Sequence, residues 1–366
     1  DTIIVLSQFN TKGAWHTPFF HSLWEHPVLS TGPTYPSKQA KKDMKLMNRA
    51  EEMLESARKM VTKNNDLIEY LGYAIKIIKF HAKKVLICHQ ISSYWKKYWI
   101  RYPAGAPLIE QIKKEQHELW ENYEQLWQRC AKPQGLERIK RNFNAQQRVI
   151  SEIGTLWKKG DYYEQPLLLS EWIKHPNKSN SQKPHYFRKK FHLSQEEKGD
   201  LQYAKIQAIA NHYLKIRVND SEVGEVISRF YLSPVIFDNM VKIFDISQLL
   251  IVGENVIEIE AWEHTYGTIS ANIYSEICKS NGNKVVITSD ETWAAADEEE
   301  KVNRKWIPAQ SIGKPPAFNG EIWSPDLAKN IPSWISRKFG KKGYTESLIF
   351  MATKKRWLAK IIAKFA

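Results

Sequence analysis

Glu258 and Glu260 stand two residues apart in NVIEIEAW, a spacing that puts both carboxylates on one face of a β-strand. At the rise of a strand they lie roughly 6–7 Å apart. Glycoside hydrolysis asks for two carboxyl groups about 5–9.5 Å apart. The same spacing arises wherever an amphipathic strand turns polar residues to water, and that plainer reading is adopted for this pair. Just beyond them come Trp262, Glu263, His264 and Tyr266, at a strand end or in the following loop, where ligand-contacting groups concentrate. An aromatic ring can stack on the C–H face of a pyranose while polar neighbours bind its hydroxyls, and this chain carries 14 Trp and 16 Tyr. These four residues form the candidate ligand site. Trp293, in ITSDETW, reads instead as a core plug.

Other chemistries find less support. His16, His21 and His26 recur every five residues, a step that suits neither one helical face nor a strand, so structural or surface roles are expected. The acidic run Asp297–Glu300 could attract a cation or form a solvated turn. No glycine-rich phosphate loop, G-x-S-x-G elbow or Cys–His pairing is present, and no catalytic residue is assigned.

The elements that must position the site are legible from Phe187 to Trp262. The patches YAKIQAI, YLKIRVND and NVIEIEAW alternate apolar and polar residues, the period of strands with one face in a core. Asn219-Asp220 and Gly253-Glu254-Asn255 supply turn signals between them. An antiparallel β-sandwich is expected.

An opening FRKKFHL, the hairpin LKIRVNDSEVGE, the turn and long strand of VKIFDISQLLIVGENVIEIEAW, and VVITSDETWAA as a closing strand occur in that order. This series resembles the galactose-binding-like jelly roll of glycoside hydrolase family 2 enzymes and rhamnosidases, over residues 165–325. Asp220 stands where such relatives usually carry Gly, and Asp tolerates the left-handed conformation required there. The resemblance implies a sugar-binding accessory domain, with a structural Ca²⁺ as a candidate ion whose ligands it does not assign.

The preceding region has a different period. From Ser37, apolar residues fall at three- and four-residue steps through Met44, Met47, Ala50, Leu54 and Met60. A second helix is expected from Asn64-Asn65-Asp66 to Trp99, a third after Pro107, and a fourth from Leu136 to Leu156. Short connections favour an antiparallel four-helix arrangement. The segments AEEMLESARKMV, LIEYLGYAIKII and YEQLWQRCAKPQGLERI resemble the helical region that follows the barrel in family 20-type hexosaminidase-like glycosidases. In those relatives the catalytic Asp–Glu pair lies in a (β/α)8 barrel, which takes about 250 residues. Nothing in this chain supplies one. The expected fold class is α+β multidomain: an N-terminal strand and irregular segment (1–36), a four-helix bundle-like domain (37–160), a β-sandwich (161–330) and a basic tail (331–366).

Composition bounds the remainder. The chain's 366 residues leave room for two domains, and its 42% apolar and 26% charged residues are ordinary for a globular protein. No apolar run approaches the ~20 residues of a membrane span. Cys88, Cys130 and Cys278 are too few and scattered for a disulfide framework or a zinc site and are expected as buried thiols, although Cys88 and Cys130 fall in helical stretches that could approach each other. The start at Asp1 is expected to reflect a removed leader, a missing upstream domain or a fragment. Asn177 and Asn219 open tripeptides of the glycosylation type, a pattern that chance also produces.

The formal net charge is +14, yet residues 337–366 hold nine Lys or Arg against one Glu, so +8 sits there and only +6 elsewhere. In KKRWLAKIIAKFA, Trp357, Ile361 and Phe365 share one helical side, with Lys360 and Lys364 on another. That tail suits an anionic membrane surface, a protein partner, self-assembly into a homo-oligomer, or packing on its own chain. Nucleic acid is an unlikely partner, because no reader fold accompanies the charge. The expected function is a non-catalytic carbohydrate-binding or glycan-associated accessory protein, extracellular or at a cell surface. Two alternatives stand beside it: a building block of a surface assembly, and the C-terminal part of a glycoside hydrolase whose barrel lies elsewhere.

Overall fold

The computed structural model describes residues 37–315, omitting 64, 93, 97–98, 101, 131–133, 165, 178–182, 211–212, 228–241, 263–268 and 298–303. The chain divides into two compact units, Asp1–Tyr94 with Ile100–Tyr163, and Trp95–Trp99 with Glu164–Ala366. The expected N-terminal strand, the histidines at 16, 21 and 26, and the basic tail lie outside the described residues. Among those residues no helix is long and apolar enough to cross a membrane.

The first unit contains α1 (Ser37–Arg58), α2 (Asn65–Ser92), α3 (Ala106–Cys130) and α4 (Gln134–Lys158). Each packs on its neighbour in sequence. Met47, Ala50 and Leu54 of α1 bury against Ile75 and Ile78 of α2. Trp120 of α3 stacks on Phe143 of α4 at 4.8 Å. A buried amide chain sets the α3–α4 register: Gln116 Nε2 donates to Gln146 Oε1 at 2.7 Å, and Gln146 Nε2 to Asn142 Oδ1 at 2.9 Å.

Two helical expectations are corrected. Met60 lies past the end of α1 and is 75% exposed. The second helix stops at Ser92, well short of Trp99, because an aromatic-rich stretch of strand formers follows. That stretch forms β1 (Trp95–Lys96) and β2 (Trp99–Ile100), and β3 (Tyr163–Glu164) follows α4.

The second unit is an antiparallel β-sandwich, so the α+β class read from the sequence holds. Its strands are β4 (Trp172–Lys174), β5 (His185–Leu193), β6 (Leu201–Ala210), β7 (Tyr213–Val218), β8 (Ser221–Ile227), β9 (Lys242–Asp245), β10 (Gly253–Trp262), β11 (Ser270–Lys279), β12 (Lys284–Thr288), β13 (Ala294–Ala296), β14 (Ile307–Pro308) and β15 (Gln310–Gly313). One sheet runs β14-β13-β5-β10-β7-β8. The other runs β15-β4-β11-β6-β9, with β12 also paired to β11. The facing sides close over one core that includes Phe187, Ile206, Ile216, Ile257, Ile259, Ile273 and Trp293. A short helix, α5 (Gln195–Gly199), follows β5 and opens on a capping box between Ser194 and Glu197.

VVITSDETWAA is not one closing strand. Its first part is β12 on β11 and its last part is β13 on β5, in opposite sheets, with the turn at Asp290–Thr292 between them. The central strand β11, SANIYSEICK, has no clean alternation and gave no sequence signal, because both of its faces are buried. Lys205 and Gln207 of β6 are likewise 1% and 0% exposed, although the pattern placed them on a polar side.

The β7–β8 turn carries positive φ at Asn219 (49°) and Asp220 (64°), the pairing of a type I′ hairpin. Asn219 then locks this hairpin to β10. Its Nδ2 donates to Leu249 O and Asn255 Oδ1, both at 2.8 Å, and its Oδ1 accepts from Val256 N. Its amide is therefore committed within the fold and closed to glycosylation in the folded state. The fully buried Asn255 also accepts from Ile251 N and donates to Ile251 O. Asn255→Ala is expected to cost about 3 kcal/mol in urea unfolding, since it leaves several buried partners unmet. Gly224 of β8 is fixed by packing: a Cβ there would lie 2.4 Å from the Phe244 ring.

Candidate functional site

The outer face of the β5–β10–β7–β8 sheet gathers the polar chemistry. Alternation along β10 sends Ile257, Ile259 and Ala261 into the core and Glu258, Glu260 and Trp262 outward. On β7 the same period sends Tyr213, Lys215 and Arg217 outward. Register places Trp262 opposite Tyr213, Glu260 opposite Lys215, and Glu258 opposite Arg217. The hairpin then sets Glu225 across from Lys215 and Glu222 across from Arg217.

The two glutamates are not on a solvated face. Glu258 is 8% exposed and Glu260 9%. Arg217 Nη1 donates to Glu260 Oε2 at 2.8 Å, and Arg304 Nη1 to Glu258 Oε1 at 2.8 Å. Arg304 lies 3.3 Å over the Tyr186 ring, and Arg188 lies 3.9 Å over Trp306. Strand alternation cannot show that guanidinium groups from β7 and from residue 304 fold back over these carboxylates. A hydrolytic pair needs one acid and one base or nucleophile across the scissile bond. Here both carboxylates are bound to arginines.

Toward the end of β10 the face opens. The Tyr213 and Trp262 rings stack at 4.7 Å and 18°, and both residues are partly exposed. Lys215 Nζ lies 3.5 Å from Glu222 and 3.6 Å from Glu225. Burial, followed by a hydrogen bond to Glu225, pushes the Tyr213 hydroxyl above its ordinary range, so it stays a neutral donor. The result is two rings packed face to face, each with its outer side turned from the other, flanked by Lys215, Glu222 and Glu225. Of the residues singled out from sequence, Trp262 belongs to this stack. Glu263, His264 and Tyr266 fall outside the described residues, as do Trp357, Lys360, Ile361, Lys364 and Phe365. Tyr213, Lys215, Arg217, Glu222 and Glu225 were missed. A readable signal was there: folding LKIRVNDSEVGE at Asn219-Asp220 brings opposite charges face to face.

Near the same end of the sheet, His185 and His175 place their rings 5.2 Å apart, with 2% and 4% exposure. Burial chiefly, and His175 in addition, lower the His185 pKa to about 4, while Asp297 works in the opposite direction. A lowered folded-state value means stability is fully present above the unfolded value near 6.5 and is lost as pH falls through about 4. The melting temperature should therefore drop between those limits, and His185→Gln should flatten that part of the curve. Among the described residues no group of three or more His, Cys, Asp or Glu is placed to hold a metal ion. Cys278 is a buried free thiol.

No protein-family model matches the chain, and no curated protein does. Solved structures do. The α-L-rhamnosidase of Streptomyces avermitilis is similar at 17% identity and a TM-score of 0.34, over 42% of this chain and 16% of that one. The α-L-rhamnosidase of Aspergillus terreus follows at 18% and 0.32, over 40% and 21%. The lectin of Pleurotus ostreatus is similar at 20% and 0.33, over 44% and 47%. The chain spans less than half the length of each of these proteins.

Proposed function

We propose that the outer face around Trp262 and Tyr213 binds a glycan, and that the chain acts as a non-catalytic, glycan-associated accessory protein outside the cell or at its surface. One observation carries this reading: two stacked, partly exposed rings beside a bed of mutually bonded Lys, Arg and Glu side chains. Apolar faces with a few fixed polar groups are the arrangement that orients a small polar ligand. Arg217 is already hydrogen-bonded to Glu260 before binding, which lowers the ordering cost on the protein side. The commitment of Glu258 and Glu260 to Arg304 and Arg217 supports binding over hydrolysis.

A glycan array with the full chain, followed by retardation in gels containing the polysaccharides that respond, tests the proposal. Retardation should disappear with Trp262→Ala. Array signals that are the same for wild type and Trp262→Ala would remove the claim.

A further inference from the structure

We infer that the groove on α2 between α1 and α3 binds a small anionic amphiphile, an apolar chain of medium length ending in one carboxylate, with Lys76 receiving the head group. The site lies in the helical unit and does not rest on the glycan-binding reading.

The cavity measures about 500 Å³, within the range of small-molecule pockets. Its floor is apolar: Phe80 of α2 and Leu119 of α3 are 4% and 9% exposed, and Met44 of α1 completes it. Two ion pairs brace the walls. Lys79 Nζ donates to Glu51 Oε2 of α1 at 2.6 Å, and Lys83 Nζ donates to Glu115 Oε1 of α3. These pairs tie α2 to both flanking helices, so the groove is held in shape before a ligand arrives.

The direction of the groove follows from the pairing of the helices. Glu69, Tyr73 and Lys83 of α2 meet Arg129, Tyr123 and Glu115 of α3 in turn, so the two run antiparallel. Seven residues back from Lys83 stands Lys76, and seven on from Glu115 stands Asn122, which sets both at the opposite end of the groove. Along α2 that step is about 10 Å, room for an acyl chain of medium length.

Charge decides which end takes the head group. The cavity is lined by Lys76, Lys79 and Lys83 and by Glu51, Glu115 and Glu118. Lys79 is matched with Glu51 and Lys83 with Glu115, and Glu118 has Lys114 at 4.0 Å, one turn earlier on its own helix. Lys76 is left over, with no ion pair among the described residues. Asn122 commits its Nδ2 to the Glu118 carbonyl at 2.7 Å, so the Lys76 ammonium is the donor offered to a ligand at that end. A carboxylate placed there gains a charge-assisted partner. Its chain removes Phe80, Leu119 and Met44 from water.

Octanoate, octanol and octylammonium share a chain and differ in the charge of the head. In calorimetric titration of the full chain, below micelle-forming concentrations, octanoate should bind about fivefold or more tightly than octanol. Octylammonium should bind no more tightly than octanol. The methyl resonances of Met44 and Leu119 should shift saturably with octanoate. Lys76→Gln should lower octanoate to the affinity of octanol and leave octanol unchanged, with a melting curve close to wild type because Lys76 is exposed. Octanol or octylammonium binding as tightly as octanoate overturns the preference for an anion. An unchanged octanoate-to-octanol ratio in Lys76→Gln overturns the role of Lys76. Absence of a saturable shift at Met44 and Leu119, at millimolar octanoate, overturns the site itself.

Discussion

Glu276→Gln is expected to lower the stability of the β-sandwich by about 3–5 kcal/mol, read as an earlier urea midpoint at unchanged slope. Glu276 sits on β11, 2% exposed, with Lys205 of β6 2.9 Å from it and 1% exposed. Lys284 of β12 lies 3.3 Å away. Tyr203 and Tyr274 donate their hydroxyls to the two carboxylate oxygens at 2.8 and 2.9 Å. Neutralising the carboxylate leaves Lys205 as a buried cation without its counter-charge, and that accounts for the size of the effect. The double variant Lys205→Met/Glu276→Leu should recover most of the loss, because an apolar pair leaves no buried charge behind.

The same cluster shapes the acid limb. Burial pushes the Glu276 carboxyl upward, but Lys205 and Lys284 outweigh it and bring its pKa down to about 2. A depressed folded-state value contributes stability above the unfolded value near 4.3 and loses it as pH falls through about 2. The window lies below the one set by His185, so the acid transition should proceed in two stages. Glu276→Gln removes the lower stage and His185→Gln the upper.

Trp262→Ala is expected to weaken glycan binding by roughly thirtyfold, the scale of losing a central aromatic anchor. Its cost to stability should be far smaller than that of Glu276→Gln, because the ring lies on the outer face and is partly exposed. Tyr213→Phe keeps the stack and removes only the hydroxyl bonded to Glu225. A loss of a few fold is expected for it. The two variants together distinguish the role of the ring surface from that of the polar row beside it.

Particular residues show where the sequence could be read and where it could not. Leu214, Ile216 and Val218 alternate cleanly because β7 has one face in the core and one carrying charges, so period and hairpin turn fix its place. Trp293 is fully buried, as its motif suggested. β6 and β11 resist this reading because both sides are covered, which lets Lys205, Gln207, Asn272 and Glu276 sit inside at no visible break in pattern. Their burial depends on partners 70 or so residues away, such as Lys205 for Glu276. At the candidate site Trp262 was legible as an aromatic residue at a strand end. The basic residues that hold Glu258 and Glu260 were not, because Arg217 and Arg304 lie 43 and 46 positions from their partners and meet them only through the sheet.

The central claim is that the stacked pair Trp262 and Tyr213 lines a saccharide site. The most direct measurement follows the indole N–H resonance of Trp262 in the ¹⁵N-labelled full chain, assigned by its absence in Trp262→Phe, during titration with a neutral methyl glycoside. A saturable shift of that resonance at millimolar ligand, accompanied by Tyr213 and Lys215, is expected. Saturable shifts confined to other parts of the chain, with Trp262 unmoved, would contradict it.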